Sequence, residues 1–152
     1  MATITVERPI AADPTSTALL LAGPTALDLW PGVTLVGGSP GHLVVDADVP
    51  ALVPHAARVL VRALPPRRLP TSYVTRFTFA GEGLPETEGS VTLAYASAPA
   101  VPVATRAAVT LTWSAAAGSA GERARVSAAF FAMAEGFLAN LAAAAEERSD
   151  AA

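Results

Sequence analysis

The stretch GERARVSAAFFAMAEGFLANLAAAAEER, residues 121–148, decides the architecture of this chain. Large apolar side chains recur in it every three or four residues, which places them on one face of a helix. These side chains are Val126, Phe130, Met133, Phe137 and Leu141. The spacing predicts one long helix, and its apolar face needs a second apolar surface to pack against.

The chain before this helix supplies such a surface, because most of it alternates between apolar and polar residues as half-buried strands do. The alternating segments are residues 3–8, 33–37, 42–48, 58–64, 72–81, 90–97 and 105–114. After the first of them, Asp13-Pro14 and then Pro24 are typical helix starts, so two short helices are predicted there. The later strands follow one another through short loops, which favours an antiparallel meander.

These elements together predict an α+β fold in a single domain that covers residues 1–152. A curved antiparallel sheet of about seven strands wraps around the long C-terminal helix, and the two short helices follow the first strand. If the sheet is curved, the space between its inner face and the helix can hold a small molecule.

The composition excludes several kinds of chemistry. Hydrophobic residues make up 52% of the chain, the net charge is −3, and all ten basic residues are arginine. Without lysine there is no Schiff base, and without cysteine there is no thiolate catalysis, disulfide or zinc–sulfur site. Two histidines among scattered carboxylates predict no metal site, and we expect no cofactor. No arginine cluster exceeds the Arg67–Arg68 pair, which argues against binding of nucleic acid.

Residues 1–8, the final helix and the use of arginine in place of lysine bear on the location and source of the protein. Residues 1–8 lack a basic segment followed by an apolar one, so a cytoplasmic location is expected. The final helix is apolar enough to raise the question of a membrane span. Glu135 at its centre makes insertion cost roughly 2.5 kcal/mol or more, so we predict a buried helix without stable membrane insertion. The use of arginine alone is typical of a high-GC genome, as in actinobacteria.

Two local segments and the order of elements resemble the START/Bet v 1-like superfamily, also called SRPBCC. TITVERPIAADP, residues 3–14, is similar to the family's opening, where a strand ending in I-A-A-P leads into the first helix. LDLWPGV, residues 27–33, is similar to the Trp-Pro segment that closes the second helix in polyketide cyclase/dehydrase-type members. The resemblance covers essentially the whole chain. It implies the helix-grip fold, with a cavity for a hydrophobic ligand between the sheet and the C-terminal helix.

Strand parity predicts which side chains face that cavity. In residues 72–81 the inner face carries Tyr73, Thr75, Phe77 and Phe79. The predicted ligand-binding residues are Trp30, Phe77, Phe79, Leu93, Leu111, Trp113, Phe130, Met133 and Phe137. The alternative is that these side chains are plain core, as aromatic residues at alternate strand positions usually are.

Four polar residues are candidates for chemistry in the cavity. Tyr73 and Tyr95 fall on the inner face by parity, and a buried hydroxyl needs a partner that a ligand oxygen would supply. The resemblance implies an inward arginine in aromatic polyketide cyclases, but parity directs Arg76 outward, unless a bulge reverses it. His42, with Asp46 at the same parity, is a candidate base at the cavity mouth. The alternative for His42 is an exposed polar strand face.

Three functions are compatible with these residues. The first is a cofactor-independent polyketide cyclase-type enzyme of natural-product biosynthesis, which holds a reactive conformer in a dry pocket. The second is a non-catalytic carrier or sensor of a lipid or other hydrophobic ligand, and the lack of an inward acid–base pair favours it. The third is a filled core whose outer surface mediates a homodimer. The resemblance to cyclase-type members favours the first.

Overall fold

A computed structural model of the chain describes residues 1–50, 52, 57–81, 84–96, 105–114 and 119–150. Strand β1 (Ala2–Ile10) is followed by helix α1 (Pro14–Leu21) and a 3-10 helix (Pro24–Leu29). Helix α2 (Ala120–Asp150) comes last. The strands between are β2 (Val33–Ser39), β3 (His42–Ala47), β4 (Ala57–Ala63), β5 (Arg67–Arg68), β6 (Ser72–Gly81), β7 (Leu84–Tyr95) and β8 (Thr105–Trp113).

The strands form one sheet in the order β1-β8-β7-β6-β4-β3-β2, with the two-residue β5 beside β6. All its pairings are antiparallel. The β2–β3 hairpin turns at Pro40-Gly41, where Gly41 has φ +80°, a conformation that favours glycine. The predicted α+β fold is confirmed: a curved antiparallel sheet, a long C-terminal helix, and short helical segments after the first strand.

Two strand predictions were wrong. Strand β7 begins at Leu84, although the glycines and prolines of residues 81–89 predicted a loop up to residue 90. Thr87 is fully buried and Gly89 lies against the Phe77 ring, so packing across the sheet overrides the local turn preference. Strand β5 follows Pro65-Pro66 and was not predicted, because two residues are too few to show alternation.

Helix α1 begins at a side-chain cap, as the sequence predicts. One carboxylate oxygen of Asp13 accepts hydrogen bonds from the backbone amides of Thr15 and Ser16, at 2.8 and 3.0 Å. The other accepts from the Ser16 hydroxyl at 2.7 Å. The Ser16 side chain, then the two backbone amides, lower the pKa of Asp13 below its ordinary value. The cap therefore strengthens when Asp13 is ionised.

Helix α2 packs over one half of the sheet. It contacts β1 and β8, and it also contacts α1 and the 3-10 helix. Its buried face carries Ala129, Phe130, Ala134, Phe137, Leu138, Leu141, Ala142 and Ala145. Full burial of a phenylalanine stabilises the fold by roughly 1.5–3 kcal/mol, so Phe130 and Phe137 anchor the helix on the sheet. By length and composition α2 is able to cross a membrane, but here it is the core helix of the fold.

A second apolar cluster lies away from α2, on the other half of the sheet. Its buried members are Val45, Ala47, Val59 and Val61 of β3 and β4. The cluster under α2 joins β1, β7 and β8 to the helix, and Phe79 packs against both clusters. The inner face of the sheet is therefore divided into a half that α2 covers and a half that it does not.

The Asp13 cap gives a prediction about stability and pH. Because the folded pKa of Asp13 is lowered, the ionised cap stabilises α1 above the unfolded pKa of about 3.9, and this is lost as pH falls through the folded value. We expect Asp13→Ala to lower the free energy of unfolding by about 1 kcal/mol at pH 7. Urea titrations at pH 7 and pH 3 measure this difference.

Asp13→Asn is the matched control, because asparagine caps helices as well as aspartate but does not ionise. We expect it to keep most of the stability at pH 7 and to depend less on pH between 3 and 7 than the parent protein. An unchanged free energy of unfolding in Asp13→Ala would show that the cap is unimportant. An equal loss in both variants would show that the charge of Asp13, and not its capping hydrogen bonds alone, stabilises α1.

Candidate functional site

A cavity of about 110 Å³ lies between the two apolar clusters. Four parts of the fold form its walls. Strands β2–β4 contribute Val33, Leu43, Val45, Ala47, Val59, Val61 and Ala63. Strands β6–β8 contribute Thr75, Phe77, Phe79, Leu84, Val91 and Leu111. Helix α2 contributes Phe130, Met133 and Phe137. The remaining wall comes from the end of α1, the 3-10 helix and the β3–β4 connection: Leu21, Gly23, Ala26, Leu27, Trp30, Val49 and Leu52.

Aromatic rings form a continuous surface along one side of this cavity. Trp30 stacks on Phe137, with ring centroids 4.3 Å apart and an angle of 18° between the planes. Its edge meets Phe77, with centroids 5.7 Å apart at 70°. Phe79 lies beyond Phe77 and also contacts Phe130. Because each ring is held by another, the rings form a preorganised apolar surface.

Gly89 in β7 allows Phe77 to occupy its position. Phe77 and Gly89 are paired across β6 and β7, and a Cβ atom at Gly89 would overlap the Phe77 ring. The ring lies over Gly89, at a point where β7 has no side chain. The cavity wall here therefore depends on a glycine.

The cavity has two polar groups among its described lining residues, the Thr75 hydroxyl and the Trp30 indole N–H. Neither makes a side-chain hydrogen bond within the part of the chain that the structure describes. None of the described lining residues is ionisable. The cavity therefore offers dispersion contacts and at most two neutral hydrogen-bonding groups to a guest molecule.

The structure places most of the predicted ligand-binding residues on the cavity wall. They are Trp30, Phe77, Phe79, Leu111, Phe130, Met133 and Phe137. Leu93 and Trp113 are instead fully buried core side chains outside the cavity, and the Trp113 ring packs on Phe130 with centroids 4.7 Å apart. Binding of a ligand by these residues stays a prediction.

Sequence reasoning missed the wall that β2 and β3 form, and it gave Thr75 no role. The signal for β3 was present, since Leu43, Val45 and Ala47 alternate on one face. Thr75 shares the inner face of β6 with the aromatic residues. Its hydroxyl could have been recognised as the polar group nearest to them.

The two tyrosines lie outside the cavity wall. The Tyr73 hydroxyl forms a hydrogen bond with the Thr15 hydroxyl, at 2.9 Å, which connects β6 to α1. Tyr95 is 52% exposed at the last position of β7, so the expectation of a buried Tyr95 hydroxyl was wrong. Alternation selects a side of the sheet, but burial also requires an element to cover that side. The hydrogen-bond partner of the Tyr73 hydroxyl, which was expected to be a ligand oxygen, is thus the Thr15 hydroxyl of α1.

Arg76 and His42 are also outside the cavity. Arg76 lies on the outer face of the sheet, in an open groove with Arg62 and Glu88, as parity predicted. His42 is exposed at the start of β3. Asp46 does not orient it, because four residues along a strand separate them by roughly 13 Å.

Asp46 instead forms an exposed ion pair across β3 and β4. The Arg58 Nε atom donates to its carboxylate at 3.2 Å. The second histidine, His55, lies outside the described residues. Within the described part of the chain, no three His, Asp or Glu side chains are grouped as a metal site.

Solved structures show where this architecture recurs. The Zhui aromatase/cyclase from Streptomyces sp. R1128 is 14% identical, with a TM-score of 0.67 over 97% of this chain and 95% of that chain. A START superfamily protein from Mycobacterium smegmatis is 11% identical, with a TM-score of 0.63 over 95% and 97% of the two chains. Ara h 8.0201 is 14% identical, with a TM-score of 0.54 over 92% and 97%. No protein-family model matches the chain, and no curated protein matches it in sequence.

Proposed function

Because the chain has the helix-grip fold of the START/Bet v 1-like superfamily, we propose that it binds a small hydrophobic molecule in the cavity between β2–β4 and α2. The observation that carries the proposal is the cavity itself, which is lined by aliphatic and aromatic side chains from every layer of the fold. Buried apolar cavities with a few neutral polar groups are the usual form of small-molecule sites.

The size of the cavity limits the ligand. An engineered apolar cavity of about 150 Å³ in another protein binds benzene, whereas drug-sized ligands need about 300–1,000 Å³. The volume of about 110 Å³ found here therefore accommodates a single small ring or a short aliphatic chain. A larger guest requires side chains on the wall to move.

Binding without catalysis is the function that this geometry supports best. The described lining residues include no acid, base or nucleophile. Tyr73 is hydrogen-bonded to α1, Tyr95 is exposed at the end of β7, and Arg76 lies on the outer face of the sheet. A carrier or sensor needs only an apolar site of suitable size, and the apolar lining of this cavity supports that role. Cytoplasmic location and assembly as a homodimer stay predictions.

A polyketide cyclase-type enzyme is the second candidate. Its support is the similarity in fold to the Zhui aromatase/cyclase. An enzyme of this kind would act by holding a flexible chain in a reactive conformer, and it would draw Tyr73, Tyr95, Arg76 or His42 toward the substrate when it binds. The present positions of these four residues favour the carrier.

Filling the cavity tests whether the protein binds hydrophobic molecules there. Met133→Trp places a larger side chain into the cavity, and we expect it to abolish binding of benzene while the protein stays folded. Phe131→Trp is the matched control, because Phe131 lies on the same helix and is 43% exposed. Titration followed by NMR measures both. If Met133→Trp binds benzene as tightly as Phe131→Trp and the parent protein do, the ligand binds elsewhere. If the parent protein does not bind benzene, the proposal is refuted.

Thr75→Val tests whether the ligand carries an oxygen. Valine has nearly the same shape as threonine, so the variant removes the hydroxyl alone. We expect the affinity for phenol to fall about fivefold, in line with roughly 1 kcal/mol for one hydrogen bond, while the affinity for benzene stays the same or rises. Calorimetric titration of both compounds measures the difference. An equal change for both compounds would show that Thr75 acts through packing.

Two tyrosine variants separate the cyclase from the carrier. If the protein is a cyclase, Tyr73→Phe and Tyr95→Phe will slow cyclisation of a poly-β-keto thioester by about 10- to 100-fold, since each removes one group that polarises a carbonyl. Turnover is followed by mass spectrometry of the products. If the parent protein shows no turnover, or if each variant turns over as fast as the parent protein, these residues have no catalytic role and the carrier remains.

A further inference from the structure

The segment on either side of Trp30 is bound to α2 by two separate contacts. Before it, the Leu29 carbonyl accepts a hydrogen bond from the Asn140 side-chain amide at 2.8 Å. After it, the Pro31 ring lies against Gly136, and a Cβ atom at Gly136 would overlap that ring. Gly136 and Asn140 are four residues apart, so both occupy one face of α2. We call residues 29–31 the Trp30 segment.

The Trp30 ring is the part of this segment that faces the cavity. It stacks on Phe137, which lies on α2 between the two attachment points. The backbone on both sides of Trp30 is therefore held to the helix that carries its stacking partner. Movement of the ring away from Phe137 together with its backbone requires loss of the Asn140 hydrogen bond, separation of Pro31 from Gly136, or both.

We propose that Asn140 and Gly136 are positioning residues that set how large a ligand the cavity accepts, because they hold Trp30 against Phe137. The inference rests on the proposed function. With the Trp30 segment attached, the cavity keeps its volume of about 110 Å³ and admits one small ring. Once the segment is released, Trp30 moves outward and the space beside Phe137 and Phe77 accepts a second ring.

Helix propensity does not account for Gly136 and Asn140. Glycine inside a helix lowers its stability relative to alanine, and asparagine is also a poor helix former. Both residues occur in a helix that otherwise uses alanine at many positions. The Trp30 segment explains both residues, since alanine at Gly136 would displace Pro31 and alanine at Asn140 would leave the Leu29 carbonyl without its amide donor.

Two variants test the proposal, measured by the ratio of naphthalene to benzene affinity and by hydrogen exchange. Asn140→Asp keeps the size of the side chain but removes the amide donor. Gly136→Ala raises the helix propensity of α2 while it displaces Pro31. In both, we expect the naphthalene-to-benzene affinity ratio to rise about fivefold, the factor that corresponds to one net hydrogen bond or a contact of similar strength.

Hydrogen exchange distinguishes positioning from a general loss of stability. The backbone amide of Trp30 donates to the Leu27 carbonyl at 3.1 Å, and that of Val33 donates to the Trp30 carbonyl at 3.2 Å. We expect their exchange to accelerate about fivefold in both variants, while the amide of Leu138 in the core of α2 keeps its rate. A merely structural role predicts faster exchange at all three amides, or slower exchange in Gly136→Ala.

Glu135→Gln is the control, because it changes a carboxylate to an amide at an exposed position of the same helix. We expect it to keep both the affinity ratio and the exchange rates of the parent protein. An unchanged ratio in both test variants would overturn the inference even if exchange accelerates. Failure of the parent protein and every variant to bind either hydrocarbon would overturn the proposed function instead.

Discussion

The packing of α2 over only one half of the sheet is the constraint on which the rest of this structure depends. Phe130, Phe137 and the small residues around them fix the helix to β1 and β8. Strands β2, β3 and β4 also carry an apolar inner face, but no helix of comparable length covers it. Two apolar surfaces that cannot close on each other leave a cavity between them. Phe79 of β6 packs against both surfaces.

The same constraint gives Trp30 its importance. The 3-10 helix and the Trp30 segment are the elements that approach the uncovered half of the sheet from the side of α2, and they do so by binding to α2 itself. The cavity wall is therefore partly built on a short, local attachment. Because the lining is almost entirely apolar, the hydroxyl of Thr75 and the indole of Trp30 are in a medium where one hydrogen bond to a guest has greater weight than in water. For the proposed ligand, affinity would come from shape and apolar contact, and selectivity from these few groups.

Much of the fold was predictable, and so was a large part of the cavity wall. The alternation of β6 correctly indicated that Phe77 and Phe79 face inward, and the helical spacing indicated the same for Phe130, Met133 and Phe137. The predictions were less successful where a second element decides the outcome. Tyr95 has inward parity but is exposed, and the hydroxyl of Tyr73 meets Thr15, which is distant in sequence. Within the loop predicted at residues 81–89, residues 84–89 are strand because Gly89 receives the Phe77 ring, a contact that turn preferences do not register.

The sequence by itself determined the kinds of elements, their order and the side of each strand that is apolar, because these depend on periodicity and on local backbone preferences. It also determined that lysine and cysteine chemistry are absent from this protein. Only the tertiary structure decided where α2 lies on the sheet, which apolar residues line a cavity and which fill the core, and which polar groups stay without a partner. Those outcomes depend on contacts between residues far apart in the chain. Gly136 and Asn140 illustrate the difference, since in the sequence they are two unfavourable helix residues and in the structure they hold Trp30 in the cavity wall.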